Sequence, residues 1–402
     1  GKGWMAVWPN LVRYLRLNKG MLNKNRWRFV ETNTLKGVLY IDEDKPVVKT
    51  AIIERFGTPC AVIDLDVVER NIEKAQRLCD VQGLANRPHI KTHKSPVLAK
   101  MQIAAGARGI TCQKLGEAEV MADAGITDIL IATNILGAAR SGRLAALQHR
   151  LPLKVCADNP VAFAAYSEAA EQAGRPMDVL IECDTGQKRA GVETPEAALS
   201  LARTIREDPH LNFGGLLFYP ALDTWPQTQA FYDEISSSLT ALEMSANIVS
   251  TGGTPNFINL GGLKGATEHR AGTCIFNDRM MLKADVASLD DCAFHVYTSV
   301  VSRGGAERGI LDAGSKTLTT DSGGLNGFGL IREYPKARIH KFAEEHGFLD
   351  LSGCLEKPAI GEVVRVVPNH VCVSVNMFEN LVAVRGYEIV EVIPVAARGK
   401  LV

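Results

Sequence analysis

The segment RPHIKTHK, residues 87–94, places Lys91 two residues after His89 and two before His93. The pattern predicts a strand over 88–92. Side chains two apart on a strand project to one face, so we expect all three on the same side. A lysine in a crowded, partly desolvated site can lose its proton near neutral pH and attack carbonyl groups as an amine. Lys91 is therefore a candidate nucleophile, and a solvated basic strand end is the alternative.

A second segment, STGGT at residues 250–254, has the composition of an anion-binding turn. Glycines such as Gly252 and Gly253 let the backbone approach an anion, and backbone N–H groups and the hydroxyls of Thr251 and Thr254 donate to it. A Gly-Gly pair taken alone is more often only a turn. A phosphate cradle together with an imine-forming lysine is what pyridoxal 5'-phosphate requires.

A third segment reads His-Val-Cys at residues 370–372. A strand is predicted over 371–376, which would bring His370 and Cys372 to one face. Imidazole and thiolate suit a borderline cation such as Zn²⁺, and two protein ligands leave positions open for water or substrate. A half-buried strand with a core cysteine is the alternative.

The elements that position these segments alternate between strand and helix from about residue 58 to about residue 284. Repeated β-α units over about 200–250 residues predict a (β/α)8 TIM-type barrel, with an open doubly wound sheet as the competing architecture. Counting 59–66 as a strand gives eight, and leaving it out requires an eighth within 267–276. The other strands are predicted at 88–92, 109–112, 128–132, 153–157, 178–183, 213–219 and 248–251.

Barrel enzymes build their sites from residues at the C-terminal ends of the strands. Besides Lys91 and the STGGT turn, this rule selects Gln113, the loop DTGQKR that contains Arg189, and Tyr219. Chance also places polar residues where strands enter loops, so the set indicates a site only in combination with the candidate nucleophile.

Two further regions flank the predicted barrel over 58–284. Short strands joined by turns predict a mostly-β domain over 285–402, in which only 336–345 has a helical pattern. Residues 1–57 form a basic, aromatic arm whose later part can join the β domain. For this arm we favour packing on the body of the protein or on a second subunit over binding to a membrane surface.

The composition argues against several classes of function. The 45 Lys and Arg residues balance the 45 Asp and Glu residues, which gives no general basis for binding nucleic acid. The nine cysteines are an odd number without a CxxC pair, which predicts reduced thiols and a cytoplasmic location. No apolar run approaches the roughly 18 residues of a membrane span.

Several motifs, in this order, resemble the D-threonine aldolase / D-serine dehydratase family of fold-type III pyridoxal phosphate enzymes, which are related to alanine racemases: PCAVIDLD, RPHIKTHK, IECDTGQKRAGV, STGGTPNF, HRAGTCIFND and VVPNHVC. The resemblance runs from about residue 56 onward. It implies an alanine racemase-like barrel, a C-terminal β domain, and a homodimer with the active site at the subunit interface. It also implies that the PCAVIDLD strand belongs to the β domain, which favours the strand count ending within 267–276.

The resemblance also implies roles for individual residues. Lys91 would form the imine with the cofactor, Arg189 would face its phenolic oxygen, and Tyr219 would lie close to it. His370 and Cys372 would be the divalent-metal pair, with Zn²⁺ favoured over Mn²⁺ or Mg²⁺ because of the cysteine. The expected cofactor-binding set is Lys91, Gln113, Arg189, Tyr219, Thr251, Gly252, Gly253 and Thr254, of which the last four hold the phosphate.

The function implied is cleavage of a small D-3-hydroxyamino acid to glycine and an aldehyde, dependent on pyridoxal phosphate and a divalent metal. The main rival is a dehydratase of 3-hydroxy-D-amino acids, in which Lys91 removes the Cα proton and ammonia is released. An amino acid racemase would have no evident use for the His-Val-Cys pair. A non-catalytic cofactor-binding protein of the barrel-only type would lack the second domain.

Overall fold

The computed structural model describes residues 45–402, so the first part of the arm predicted over 1–57 lies outside the described residues. Helix α1 (Lys45–Phe56) is the part of the arm that is described. Its Val48 and Ile52 are buried in one apolar cluster with Val62, which lies on strand β1 (Cys60–Asp64). Helix α1 therefore packs on the sheet to which β1 belongs. In the described part of the chain, no helix is long and apolar enough to cross a membrane.

Eight short strands, all paired in parallel, form the first sheet. They are β2 (Ala85–Asn86), β3 (Ile110–Cys112), β4 (Ile129–Ile131), β5 (Lys154–Ala157), β6 (Met177–Cys183), β7 (Leu211–Phe218), β8 (Ile248–Gly252) and β9 (Glu268–Arg270). Their order in the sheet is β2-β9-β8-β7-β6-β5-β4-β3. An isolated parallel bridge between His89 and Thr111 joins the chain after β2 to β3, which brings the two ends of the sheet together.

Helices follow the strands and cover the outer face of the barrel. They are α2 (Leu65–Val81), α3 (Pro96–Ala104), α4 (Leu115–Asp123), α5 (Ala138–Arg150), α6 (Pro160–Ala173), α7 (Pro195–Glu207) and α8 (Trp225–Ala241). Residues typical of helix N-termini begin several of these helices. Helices α3, α6 and α7 begin with proline, which has no N–H to leave unsatisfied. Asp64 caps α2 by accepting from the N–H groups of Asp66 and Val67 at 3.0 and 3.2 Å.

The second sheet has nine strands, of which β1 is one. The others are β10 (Phe294–Ser302), β11 (Arg308–Leu311), β12 (Leu330–Ile331), β13 (Arg338–Phe342), β14 (Gly347–Asp350), β15 (Val363–Val367), β16 (Asn380–Arg385) and β17 (Glu388–Pro394). Strand β1 pairs antiparallel with β10 and parallel with β16. The first strand within the predicted barrel range 58–284 thus belongs to the second sheet, and β9 is the eighth barrel strand. The predicted fold class, a barrel with a mostly-β domain, is confirmed.

Two predictions of local structure in the second domain are wrong. The helical pattern over 336–345 forms strand β13, because Arg338 pairs opposite Asp350 in a hairpin with β14. The strand predicted over 371–376 is instead a short helix, Val371–Val375. The carboxylate of Asp278 accepts from the N–H of Val371 at 2.9 Å, and a capped first turn favours helix over strand.

Candidate active site

Lys91 lies in a single 3₁₀ turn, Ile90–Thr92, beyond the C-terminal end of β2. The strand predicted over 88–92 is wrong, because the sheet pairing ends at the bridge formed by His89. The N–H of Lys94 then folds back and donates to the carbonyl of Ile90 at 2.7 Å. Lys94 closes the turn in the left-handed region, with φ +51°. Lys91 itself remains half-buried, so its amine has a route to a ligand.

His93 lies in the interior, contrary to the expectation that it shares a strand face with Lys91. It is fully buried, and its Nδ1 accepts from the N–H of Ser95 at 3.0 Å. Its Nε2 lies 3.2 Å from the side-chain oxygen of Gln102. Burial lowers the pKa of His93 to about 4. These bonds give His93 a supporting role beneath the turn.

His89, by contrast, stays next to Lys91 and is oriented by Gln113. The amide nitrogen of Gln113 donates to a backbone carbonyl at 3.0 Å, which leaves its Oε1 to accept from His89 Nε2 at 3.1 Å. The pKa of His89 falls well below its ordinary value because of burial and then because of the positive charges of Lys91, Arg270 and Arg189. A neutral imidazole surrounded by cations indicates a site suited to an anionic ligand.

The glycine-rich segment 250–254 begins within the last residues of β8 and lies against Tyr219. Gly253 has φ +100°, and a Cβ added there would lie 2.8 Å from Cε2 of Tyr219. Glycine is therefore required both by the backbone conformation and by the tyrosine ring. The guanidinium of Arg189 stands 4.9 Å from the centroid of the same ring. Tyr219 thus connects two segments that the sequence predicts to bind the cofactor.

The polar groups around this turn provide a test of whether it fits a phosphorylated cofactor. Asn256 donates to the carbonyl of Gly252 at 2.7 Å, and its buried Oδ1 has no hydrogen-bond partner among the described residues. The hydroxyl of Thr251 lies 3.0 Å from His269 Nδ1, and that of Thr254 accepts from a backbone N–H at 3.1 Å. A close-approach glycine turn beside the guanidinium of Arg270 fits an anionic phosphate group.

His370 and Cys372 lie beside the Lys91 turn in the same chain. The hydroxyl of Thr92 is 3.1 Å from Cys372 Sγ. Nδ1 of His370 lies 2.5 Å from Asp321 Oδ2. A carboxylate on the second ring nitrogen is the usual support of a metal-ligating histidine. No cluster of three His, Cys, Asp or Glu side chains within residues 45–402 has the arrangement of a metal site. The pair can therefore supply two ligands and leave other positions open.

The two side chains shift each other's pKa towards an ion pair. The hydrogen bond with Cys372 raises the pKa of His370 to about 9, and Asp321 adds to this effect. Burial acts against ionisation of Cys372, yet its thiol pKa is lowered by the hydrogen bond and charge of His370, with smaller help from Thr92 and Lys91. Thiolate and imidazole together form a donor set that fits Zn²⁺.

Two residues that the sequence interpretation left without a role also belong to this region. Arg270 ends barrel strand β9, and its buried guanidinium donates to Ser250 at 2.5 Å and to the carbonyl of Phe218 at 3.0 Å. The rule that sites lie at the C-terminal ends of barrel strands could have selected it. Asp321 lies in a loop 49 residues before His370. No local pattern in the sequence connects the two.

Comparison with known proteins gives consistent results for both parts of the chain. Residues 63–280 match the family described as alanine racemase, N-terminal domain, and residues 293–384 match a serine dehydratase domain. A D-threonine aldolase from Arthrobacter sp. is 32% identical over 86% of this chain and 94% of its own length. A D-threo-3-hydroxyaspartate dehydratase from Delftia sp. is 34% identical over 79% of this chain and 92% of its own length.

Solved structures agree. The crystal structure of D-threonine aldolase from Filomicrobium marinum has a TM-score of 0.80 and 31% identity, covering 86% of this chain and 96% of that one. Structures of the Delftia dehydratase include a variant with alanine for a histidine. Another, described as a metal-free form, has alanine for a cysteine two positions further along.

The barrel, the second domain and these relatives define a fold-type III pyridoxal phosphate enzyme. The chain belongs to the D-threonine aldolase / D-serine dehydratase family, and it is a pyridoxal phosphate-dependent lyase.

Proposed function

We propose that this enzyme is an aldolase that cleaves D-3-hydroxyamino acids of the D-threonine type to glycine and an aldehyde. The observation that carries the proposal is the contact between Cys372 and Thr92, the residue directly after Lys91. It brings the groups suited to a metal next to the candidate nucleophile. Polarisation of a β-hydroxyl and chemistry at Cα can therefore take place within one site.

For the cofactor, we assign the roles that the local geometry supports. Pyridoxal phosphate, when bound, supplies an electron sink for bond breaking at Cα. Lys91 supplies the amine that holds it, and Gln113 fixes the His89 imidazole beside that lysine. Arg189 and Tyr219, whose side chains stack on each other, would lie beside the cofactor's ring. The phosphate is assigned to Thr251, Gly252, Gly253 and Thr254.

For the metal, we assign His370 and Cys372 as ligands and favour Zn²⁺ over Mn²⁺ and Mg²⁺ because a thiolate is a soft donor. A divalent ion there supplies Lewis acidity towards the substrate's β-hydroxyl. Asp321 holds the His370 ring by accepting at Nδ1, which directs Nε2 to the ligand side. The variants of the Delftia dehydratase, altered at a histidine and a cysteine with the same spacing, support this assignment.

A dehydratase is the second candidate, and two observations favour it. The match over 293–384 is to a serine dehydratase domain, and one relative of 34% identity is a dehydratase. In that reaction Lys91 would take the Cα proton, because its amine is the candidate base beside the cofactor. Substrate orientation decides which Cα bond breaks.

Product analysis separates the two reactions. The purified enzyme is given D-threonine, D-serine and D-threo-3-hydroxyaspartate in separate assays, and glycine, aldehyde and ammonia are measured. Glycine with an equal amount of aldehyde is expected. Ammonia without glycine on all three substrates would reject the aldolase in favour of the dehydratase.

We also propose a cytoplasmic homodimer with the active site near the subunit interface. All nine cysteines are free thiols, which supports a reducing compartment. The metal pair and Lys91 come from one chain, so a second subunit would complete the site rather than supply its reactive groups. The expected partner is a small amino acid substrate, with no role for nucleic acid.

A further inference from the structure

A cavity of about 460 Å³ opens on the second sheet, under helix α1 and away from the candidate active site. Its walls come from helices α1 and α2, from strands β1, β10, β15 and β16, and from loops next to them. No residue assigned to the cofactor or the metal lines it. Its volume is in the range of small-molecule pockets.

The cavity wall is positively charged. Four cationic side chains line it against two carboxylates, those of Asp64 and Asp290. Both carboxylates are already engaged, since Asp64 caps α2 and Asp290 lies 3.4 Å from Arg332. The cations are Lys49, Arg70, Arg332 and Arg365.

Arg365 is held in place from one side only. Its Nε donates to Glu333 Oε1 at 2.8 Å, and Lys49 donates to the same carboxylate oxygen at 2.7 Å. Within the part of the chain that is described, Nη1 and Nη2 of Arg365 have no hydrogen-bond acceptor. An anchored guanidinium with free terminal N–H groups is pre-organised for a carboxylate or a phosphate.

His295 contributes a second unsatisfied group to the cavity wall. The residue is 8% exposed, and its Nε2 is buried without a hydrogen-bond partner among residues 45–402. Burial, followed by the charges of Arg332 and Arg365, lowers the pKa of His295 to about 3. Its imidazole is therefore neutral and lies in a positive field. A buried ring nitrogen without a hydrogen bond lowers the stability of the fold. A bound ligand that hydrogen-bonds to this nitrogen would offset that loss.

We propose that this cavity is a binding site for the oxyanion group of a small molecule, a carboxylate or a phosphate, with Arg365, Arg332 and His295 as the recognising residues. The terminal nitrogens of Arg365 bind the oxyanion as a fork. Arg332 contributes a second positive charge, and the neutral His295 adds a hydrogen bond. Tyr297 and Val62 supply an apolar wall beside these groups, which suits a ligand with a short carbon chain.

The test is calorimetric titration of the full-length enzyme, saturated with pyridoxal phosphate, with inorganic phosphate and separately with succinate. Saturable binding of at least one anion is expected, and the stronger of the two identifies the oxyanion. Arg365→Lys keeps a positive charge beside Glu333 but removes the fork, and should weaken that binding by about tenfold or more. Arg338→Lys is the control, because Arg338 pairs with Asp350 on β14 and does not line the cavity.

Two results would overturn the proposal: no saturable binding of either anion, or equal affinity in wild type and Arg365→Lys. If Arg365→Lys fails to fold, as judged by its thermal midpoint, Arg332→Lys takes its place. None of these outcomes depends on whether the enzyme is an aldolase or a dehydratase.

Discussion

The ammonium of Lys94 lies 3.3 Å from a carboxylate oxygen of Glu117, and both side chains are almost completely buried. The other carboxylate oxygen of Glu117 accepts from the N–H of Gln113 at 2.7 Å. Lys94 closes the turn that carries Lys91, and Gln113 holds His89. One buried carboxylate on α4 therefore ties together two loops of the candidate site.

Glu117→Gln should cost about 3–5 kcal/mol of unfolding free energy, because it leaves the buried Lys94 ammonium without its counter-charge. Denaturant unfolding measures this. Glu119→Gln on the same helix is the matched control, since its pair with Arg143 is about a third exposed and should contribute about 1 kcal/mol or less. Equal losses of unfolding free energy in the two variants would show that the buried Lys94–Glu117 pair stabilises the protein no more than the exposed Glu119–Arg143 pair.

Lys91→Ala should abolish turnover and the visible absorbance of bound cofactor, because it removes the amine that we assign to hold the cofactor. The visible spectrum is recorded after dialysis, and a separate sample is treated with borohydride to test whether reduced cofactor stays covalently attached to the chain. Lys100→Ala, an exposed lysine on α3, should keep both the spectrum and the activity. A Lys91→Ala protein that still incorporates hydride into bound cofactor would contradict the assignment.

Gly253→Ala should weaken cofactor binding, because the new methyl group would lie 2.8 Å from Cε2 of Tyr219 and displace the ring. Gly125→Ala is the control for backbone strain alone. Gly125 also has positive φ, +88°, and a Cβ there meets nothing within 4 Å. Both variants should lose about 1–3 kcal/mol of stability. Only Gly253→Ala should raise the dissociation constant of pyridoxal phosphate, measured by fluorescence titration of the apoenzyme.

Asp321→Asn should reduce metal affinity by about 10- to 100-fold, because the carboxylate that orients His370, the proposed metal ligand, is lost. The metal bound per chain is measured after dialysis against graded chelator, with pyridoxal phosphate content measured in parallel. Cofactor content should not change. Asp350→Asn, which removes the partner of Arg338 on β14, should retain wild-type metal content.

Stability should fall as the pH drops below about 6.5. Burial is the largest cause that lowers the pKa of four histidines: His93 to about 4, His269 and His295 to about 3, and His89 well below its ordinary value. Between the folded and unfolded pKa values only the unfolded chain takes up the proton, so acid favours unfolding.

For His93 alone, the loss approaches about 3 kcal/mol by pH 4. Urea midpoints between about pH 7 and pH 5 measure the slope, which should be shallower in His93→Gln. If the dependence of stability on pH is unchanged in His93→Gln, then His93 does not contribute to the loss of stability in acid.

Much of the barrel follows from the alternation of short apolar strands with amphipathic helices, because that pattern is local. The strand at 338–342 and the helix at 371–375 do not follow in this way. The residues of the first favour helix, yet pairing with β14 outweighs that preference. The second is a run of β-branched residues that turns helical because Asp278, far away in sequence, caps it.

The site residues also fall into two groups, those that local sequence indicates and those that depend on distant contacts. Lys91, Gln113 and Tyr219 could be selected because the end of a barrel strand is visible in the sequence. Asp321 and Glu117 could not, since each acts through a partner that only the folded chain brings near. The motif resemblance selected His370 and Cys372, although the strand geometry first expected for them is wrong.

The position of β1 has a consequence for how the chain is made. Strand β1, residues 60–64, lies between β10 and β16. Its two edges are paired only after residues 294–302 and 380–385 have been synthesised. During synthesis on the ribosome the barrel can close while β1 is still an unpaired strand. The two domains are therefore interleaved along the chain. Cleavage between the barrel and the second domain would leave β1 on the barrel fragment, without the strands it pairs with. A fragment of residues 58–284 would keep β1 with both of its edges unpaired, so a stable half-protein requires β1 to be joined to the second domain.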